Sequence, residues 1–491
     1  MDFKKGIALS FSKAAGIPEE QALSLIESPP DHKFGDFSIP SFTLCKKGEN
    51  PAKKAKEISG KIKKTEGISK IGALGPYINF FLDKSALSSS TLEEILSLKE
   101  NFGKNSEGKG KKVMVEYSAP NTNKPLHIGH LRNDCIGMAI SNLFEAAGYK
   151  VTKANLVNDR GIHICQAMVA YKKFGEGKTP ETAGMKGDKF VGDFYVKFNQ
   201  NAKENPALQE EANGLLRKWE AKDQETIALW KKMREWVFSG FKETYEKFGS
   251  RFDEIFFESD FYDKAKPLIE LGLKKGVFKK NEEGAVIARL EKYGFPDKTV
   301  LRADGTSIYI SNDLALTKHK VEAFKLDRNI YCVACEQDLY FQQLFKVMEL
   351  LGFPWAKNCE HLSYGLVFLP EGKMKSREGK VIDADDLIAE IEGLALAEIE
   401  KRYPGLENAE KCRRAEAIAL AAIKFAMLRI DHKKTSLSCQ SSLSASRANQ
   451  GLTSSTLMRG PKASCERPDG KASGRKKSIF QHFPMKKRKA S

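Results

Sequence analysis

Between residues 1 and about 105 the apolar positions outline a small α/β unit. A Gly/Pro-containing stretch, PPDHKFGDFSIPSF, precedes a basic helix around Ala52–Ile62, and ISKIGALGPYINFFL follows as a β-rich run broken by a Gly-Pro turn. Asn101–Lys112 (NFGKNSEGKGKK) has no apolar period and reads as a linker. From Val113 the pattern becomes strand (VMVEYSA), loop (PNTNKPLHIGH), amphipathic helix (LRNDCIGMAISNLFEAAG, ended by Gly148) and strand (YKVTKANLVND). That order is the opening of a parallel, nucleotide-binding type of sheet. Residues of about 175–250 are helical in pattern and densely charged, which predicts a helical insertion packed on the sheet. The α/β alternation resumes through Asp313, Tyr331 and Leu366, and NAEKCRRAEAIALAAIKFAMLRI ends the periodic part as one more helix.

The predicted fold class is therefore α/β: a Rossmann-like parallel-sheet domain over residues 111–400 with a helical insertion, and a small α/β N-terminal domain over 1–105. Residues 405–432 begin an α-helical C-terminal domain. No run of about 18 apolar residues occurs, so the pattern predicts no membrane-spanning helix. MDFKKGIALSFSKAAGIPEE has only a short apolar stretch interrupted by Ser and Lys, and predicts no secretory signal.

Composition changes the picture at the C-terminal end. The net charge is +17, yet residues 433–491 hold 14 Lys/Arg against 2 Asp/Glu, so most of the basic excess lies there. This tail is Ser/Lys/Arg-rich and aperiodic, and predicts disorder because it has too little apolar surface to offset chain entropy. Nine cysteines follow no framework spacing, which fits a reducing cytoplasm. Cys332 and Cys335 form a CxxC with no second pair at zinc-finger spacing. They read as two small residues in a buried strand, and no metal site is expected.

Two short words carry the chemistry. His127-Ile128-Gly129-His130 stands between a strand and a helix, where free N–H groups and the positive dipole end receive phosphate. Two histidines one turn apart can donate from one edge to phosphate oxygens, and Gly129 leaves room for a nucleotide to approach the backbone. Far downstream, Lys373-Met374-Lys375-Ser376-Arg377-Glu378-Gly379-Lys380 offers a cation-rich loop able to close over a triphosphate. Together, in this order, they resemble the histidine signature and the KMSKS loop of the class I aminoacyl-tRNA synthetases. The loop departs from that pattern, since Ser376 replaces the fourth-position lysine. Lys124, just before the histidines, and Lys375 are the two candidates to replace it, and both stay open.

The surrounding words narrow the resemblance. VEYSAPNTNKPLHIGHLRND, GTSIYISNDLA and YCVACEQDLYFQQLFKVMELLGF are similar to segments of the arginyl-tRNA synthetases, and the similarity runs over roughly residues 30–432. It implies an arginine pocket of Glu116, Asn121, Tyr309, Asp313 and Gln337. Carboxylates suit a guanidinium because they can meet its rigid fork of donors bidentately. Either Glu116 shares the fork, or it meets the α-ammonium while Asp313 takes the fork. Tyr340, where the family often has His, is expected to weaken one secondary contact. The family activity implied is ligation of L-arginine to tRNA(Arg): ATP is consumed to form arginyl-adenylate, then the terminal ribose hydroxyl of tRNA takes the arginyl group. Mg²⁺ would ride on the phosphates, bound tRNA is needed even for the first step, and a monomer is expected. HKFGDFSIPSF and LGPYINFFL resemble the family's N-terminal domain, which contacts the tRNA elbow. Asn79, Phe80 and Phe81 then offer a platform to a base, or else are core residues of a strand. Two rival readings are a shorter adenylyltransferase with an H-x-G-H word and a non-catalytic tRNA-binding relative. The first lacks the insertion and N-terminal unit, and the second has no use for His127, His130 and Lys373.

The family continues beyond LRID with a helical anticodon-binding domain, and this chain's words do not. Ser446–Glu466 (SRANQGLTSSTLMRGPKASCE) can, however, be encoded so that reading one base early gives FEGESGPYIQYTHARAKSILR. That string carries the FEG-x-SGPYIQY-x-HAR signature opening the family's anticodon domain. A one-base insertion or deletion between about Asp431 and Ser446 is expected, and with it weakened tRNA charging.

Overall fold

The computed structural model describes residues 2–303, 308–369, 372–373, 381–434 and 436–437. The chain divides into two compact units, residues 1–104 and 105 onward.

In the first unit, α1 (Phe3–Ala15) starts where the Asp2 carboxylate accepts from the Lys5 N–H and stops at Gly16 in the left-handed region. It is followed by α2 (Glu19–Ser24), β1 (Phe37–Pro40), α3 (Pro51–Lys61), β2 (Ile68–Leu74), β3 (Tyr77–Leu82) and α4 (Lys84–Leu98). The strands form an antiparallel sheet in the order β1-β3-β2. Ile7 and Phe11 of α1, Ile58 of α3, and Ile39, Ile78 and Phe80 of the sheet make its core.

The second unit is built on a five-stranded, all-parallel sheet. It opens with β4 (Lys112–Glu116), α5 (Ile128–Ala146) and β5 (Lys150–Val157). The helical layer α6 (Ile162–Phe174), α7 (Pro180–Ala183), α8 (Gly187–Asn201), α9 (Ala207–Glu220) and α10 (Gln224–Phe248) comes next. Phe190, Trp219, Trp230 and Phe241 of this layer share one apolar core with Leu131 of α5. Then come β6 (Glu254–Phe257), α11 (Lys266–Lys274) and a small antiparallel sheet of β7 (Phe278–Lys280), β8 (Val286–Ala288) and β9 (Lys298–Leu301). The last part holds α12 (Tyr309–Phe324), β10 (Arg328–Ala334), α13 (Asp338–Leu350), β11 (Cys359–Tyr364), β12 (Val367–Leu369), β13 (Gly372–Lys373), α14 (Ala384–Arg402), α15 (Asn408–Leu428) and β14 (Ser436–Leu437).

The parallel sheet runs β11-β10-β4-β5-β6, with Glu116 of β4 paired to Tyr331 of β10 and to Ala154 of β5. The chain leaves β4 toward β5 on one side and reaches β10 on the other, so the strand order reverses between β4 and β10. Such a switch point opens a crevice beyond the carboxyl ends of the strands, where α/β sheets hold ligands. Cys332 is buried in β10, whereas Cys335 lies past the strand end in a short 3-10 turn and is exposed. The expectation that both sit inside a strand is corrected accordingly: β10 stops at Ala334.

Candidate active site

The corner after β4 is shaped by two consecutive non-glycine residues in the left-handed region, Ser118 (φ 77°) and Ala119 (φ 49°). Such residues are costly unless their surroundings hold them. Here the side-chain Oδ1 of Asn133 accepts from the Ser118 N–H at 2.7 Å and that of Asn155 accepts from the Ala119 N–H at 3.1 Å. The corner delivers the chain to His127, the N-cap of α5.

The two signature histidines form a reciprocal cap. His127 Nδ1 accepts from the Gly129 N–H at 3.1 Å, and His130 Nδ1 accepts from the His127 N–H at 3.0 Å, with ring centroids 4.0 Å apart. Because Nδ1 accepts in both rings, the proton of each neutral imidazole sits on Nε2. Burial, then the charge of Lys124, pushes His127 down to about 3. Burial, then His127 and Lys124, holds His130 well below the ordinary imidazole value. Both rings are thus neutral Nε2–H donors at physiological pH. The expectation of free N–H groups at this helix start needs correction. The Ile128 N–H donates to the Ile382 carbonyl at 3.0 Å, and the N–H groups of His130 and Leu131 donate to the His127 carbonyl. Side-chain donors remain for an anion, and these main-chain donors are already used.

The chain bracketing residues 374–380 is fastened to this same region. His127 bridges Asp383, and the Ala384 N–H donates to the Leu126 carbonyl at 3.0 Å. On the other side Lys373 pairs with Phe368 across the β12–β13 hairpin. Met374, Lys375 and Ser376 lie outside the described residues, as does the side chain of Lys373.

Three carboxylates gather around α12. Glu116, the last residue of β4, is buried and ion-paired with the fully buried ammonium of Lys320, which α12 carries two turns after Asp313. Asp313 accepts a hydrogen bond from the Tyr340 hydroxyl. Tyr340 is therefore a direct partner of this carboxylate. Burial pushes Asp313 up to about 6 against the lowering effect of Tyr340 and Lys320. The third is Glu258, just past β6, which sequence reasoning missed. It is buried, its Oε1 lies 3.4 Å from the Asn312 amide nitrogen, and its Oε2 has no partner. Burial, then the charge of Asp313, raises it to about 8. A single Glu in a charged chain gives no sequence signal; only its burial beside Asp313 marks it.

Tyr309, the first residue of α12, is 62% exposed. Gln337 is exposed at the end of the 3-10 turn following β10, and Asn121 is exposed in the loop following β4, bridged to Asn158. So Glu116, Asp313 and Glu258 converge inside, while Tyr309, Asn121 and Gln337 lie at the surface. In the N-terminal unit Phe80 is wholly buried, so its ring belongs to the core and offers no face to a base. Asn79 is also buried but lines a cleft of about 350 Å³ with Phe34, Leu74, Tyr77, Pro29 and Pro30. Phe81 is half-buried, with the Lys70 ammonium 5.4 Å over its ring. Among the described residues no helix is long and apolar enough to cross a membrane.

A donor pair thus stands at a helix start, and a cluster of carboxylates at a sheet switch point. Residues 91–436 match the family model described as the catalytic domain of class I tRNA synthetases (R), and residues 1–82 match the arginyl tRNA synthetase N terminal domain. An arginine–tRNA ligase of Treponema denticola is 47% identical over 420 residues, covering 84% of this chain and 71% of that protein. One of Borreliella burgdorferi is 42% identical over 427 residues, covering 84% and 72%. The arginyl-tRNA synthetase of Thermus thermophilus has the same fold, with a TM-score of 0.71 at 21% identity over 95% of this chain and 83% of that one. The chain belongs to the arginyl-tRNA synthetases of class I, the enzymes that use ATP to join arginine to its tRNA.

Proposed function

We propose that the crevice between β4 and β10 activates arginine with the groups just described. His127 and His130 give Nε2–H bonds to the phosphates of ATP, and Gly129 lets the nucleotide lie against the helix start. Lys373, Met374, Lys375 and Ser376 close over the triphosphate, with Lys124 supplying charge from the other side. Neutral donors suit this task, since they polarise phosphate oxygens as charge develops without giving up a proton. Asp313 and Glu258 take the guanidinium fork, Tyr309 and Gln337 close the pocket from the surface, and Asn121 orients the α-carboxylate. The Lys320 ammonium already neutralises Glu116, which leaves the uncompensated charge to Asp313 and Glu258. An oxygen of the arginine carboxylate attacks the α-phosphorus and pyrophosphate leaves. A terminal ribose hydroxyl of tRNA(Arg) then attacks the adenylate carbonyl, and AMP leaves. Among the described residues no three His, Cys, Asp or Glu side chains gather around a metal position. Mg²⁺ enters this reading as part of the ATP substrate. The cleft beside Asn79 receives a base of the tRNA elbow, with Phe81 at its margin. The enzyme works as a monomer in the cytoplasm, a compartment supported by the seven described cysteines all being free thiols.

The observation that carries this reading is the burial of Glu258 beside Asp313, whose charge raises it, while the fully buried ammonium of Lys320 is committed to Glu116. ATP–pyrophosphate exchange with each amino acid, with and without tRNA(Arg), tests it. Exchange with arginine alone, lost about a thousandfold in Asp313→Asn, is expected, as for a charge-assisted pair removed from a buried site. Exchange with lysine at a comparable rate would sink it.

We also propose that the reading frame slips between about Asp431 and Ser446. The hidden FEGESGPYIQYTHARAKSILR string supports this, and the residues after the slip are then not selected for function.

A further inference from the structure

Arg132 sits two residues past His130 on α5, and its side chain is wholly buried. Its partners are four main-chain carbonyls: Nε donates to Gly365 at 2.9 Å, Nη1 to Met427 at 3.1 Å, and Nη2 to His432 at 3.3 Å and Lys434 at 3.1 Å. Among the described residues it makes no ion pair with a carboxylate. The arrangement is chemically specific. Met427 lies in the last turn of α15, where carbonyls have no partner within the helix and the dipole end is negative. A planar guanidinium can serve acceptors in several directions at once, which a lysine ammonium at the same depth cannot.

The three segments it joins are related to one another. Gly365 precedes β12 and gives its own N–H to the His432 carbonyl at 2.7 Å. Two residues on, Val367 of β12 pairs with Ser436 of β14. The chain leaving α15 and the strand leading into the β12–β13 hairpin therefore form one layer, and Arg132 ties that layer to α5. Lys373 ends the hairpin. The far side of the 374–380 segment is tied to the same helix start by main chain, through the bonds of Ile128 and Ala384. One flank of 374–380 is thus held to α5 by backbone, and the other by two side chains of α5: Arg132, which also grips the end of α15, and Asn133, whose amide donates to the Tyr364 hydroxyl at 2.9 Å.

We propose that Arg132 is a positioning residue for ATP: it sets where the stem carrying Lys373 stands relative to His127 and His130, and couples that position to the segment following α15. The proposal rests on ATP lying at His127 and His130. The test uses the full chain, titrating MgATP and, separately, arginine into the wild type, Arg132→Lys and Arg132→Met by calorimetry, with deuterium uptake measured alongside. The expected result is a rise in the Kd for ATP of about tenfold in Arg132→Met and severalfold in Arg132→Lys, the size of one or two lost charge-assisted bonds. The Kd for arginine stays within about twofold, because its carboxylates hang on β4, β6 and α12. Uptake quickens at the amide of Gly365 and across β12 and β13. Arg132→Lys decides the matter if Arg132→Met does not fold. Unchanged ATP affinity in Arg132→Lys, or equal loss of ATP and arginine affinity, would overturn it. A wild-type chain that binds arginine but not ATP would overturn the nucleotide assignment and this proposal with it.

Discussion

Glu258 stays protonated near neutrality in the empty pocket, since burial and then Asp313 raise it to about 8. A guanidinium bound there must expel that proton, so arginine affinity and pH are linked. We expect the Kd for arginine to fall about tenfold per pH unit between roughly 6.5 and 8 and to level off above, with about one proton released per arginine bound. Calorimetry in buffers of different ionisation enthalpy reads this directly; Glu258→Gln should remove the slope, and a slope surviving in that variant would refute the assignment. The sign for the empty protein is opposite. A raised carboxylate pKa means the folded chain holds a proton the unfolded chain has lost, so this contribution to stability fades as pH climbs from the ordinary carboxylate range toward 8. His127, lowered to about 3, acts the other way, and its contribution fades as pH falls below the ordinary imidazole range. Asp313, His127 and His130 were legible in the sequence because each stands in a distinctive word. Glu258 and Lys320 were not, because what marks them is burial beside groups far away in the chain.

Helix α5 carries both the histidine pair and the residue that packs it against the sheet. At Gly137 a Cβ would come within 2.2 Å of the Tyr117 ring, which is itself wholly buried. Gly137→Ala is therefore expected to destabilise the protein by about 2–3 kcal/mol, as overpacking does. A melting temperature within about 1 °C of wild type would show that the helix can shift away at no cost. The strand, loop and helix of this region were readable from apolar periodicity and Gly148. The occupancy of the helix start was not. Ile382 caps Ile128 from far along the chain, and hydrogen-bond accounting of that kind follows from tertiary structure alone. The small sheet of β7, β8 and β9 also escaped the sequence reading, since strands of three or four residues are too short to display a period.

For the whole molecule, the frame proposal makes a genetic prediction with a biochemical readout. Restoring one base between the codons of about Asp431 and Ser446 should raise tRNA(Arg) charging on the order of a hundredfold, the effect of regaining roughly 3 kcal/mol of tRNA contacts. Near-equal charging by the 491-residue chain, or independent resequencing that returns the same single frame, would remove the idea. The order of the large pieces could be read from composition and period, while the joints between them, such as Arg132 reaching Met427, could not. One of those joints has a mechanical meaning. The described residues on either side of 374–380 are fastened to one helix, Gly365 through Arg132 and residues 382–384 through main-chain bonds. Any tilt of α5 therefore carries both anchors together instead of prising them apart.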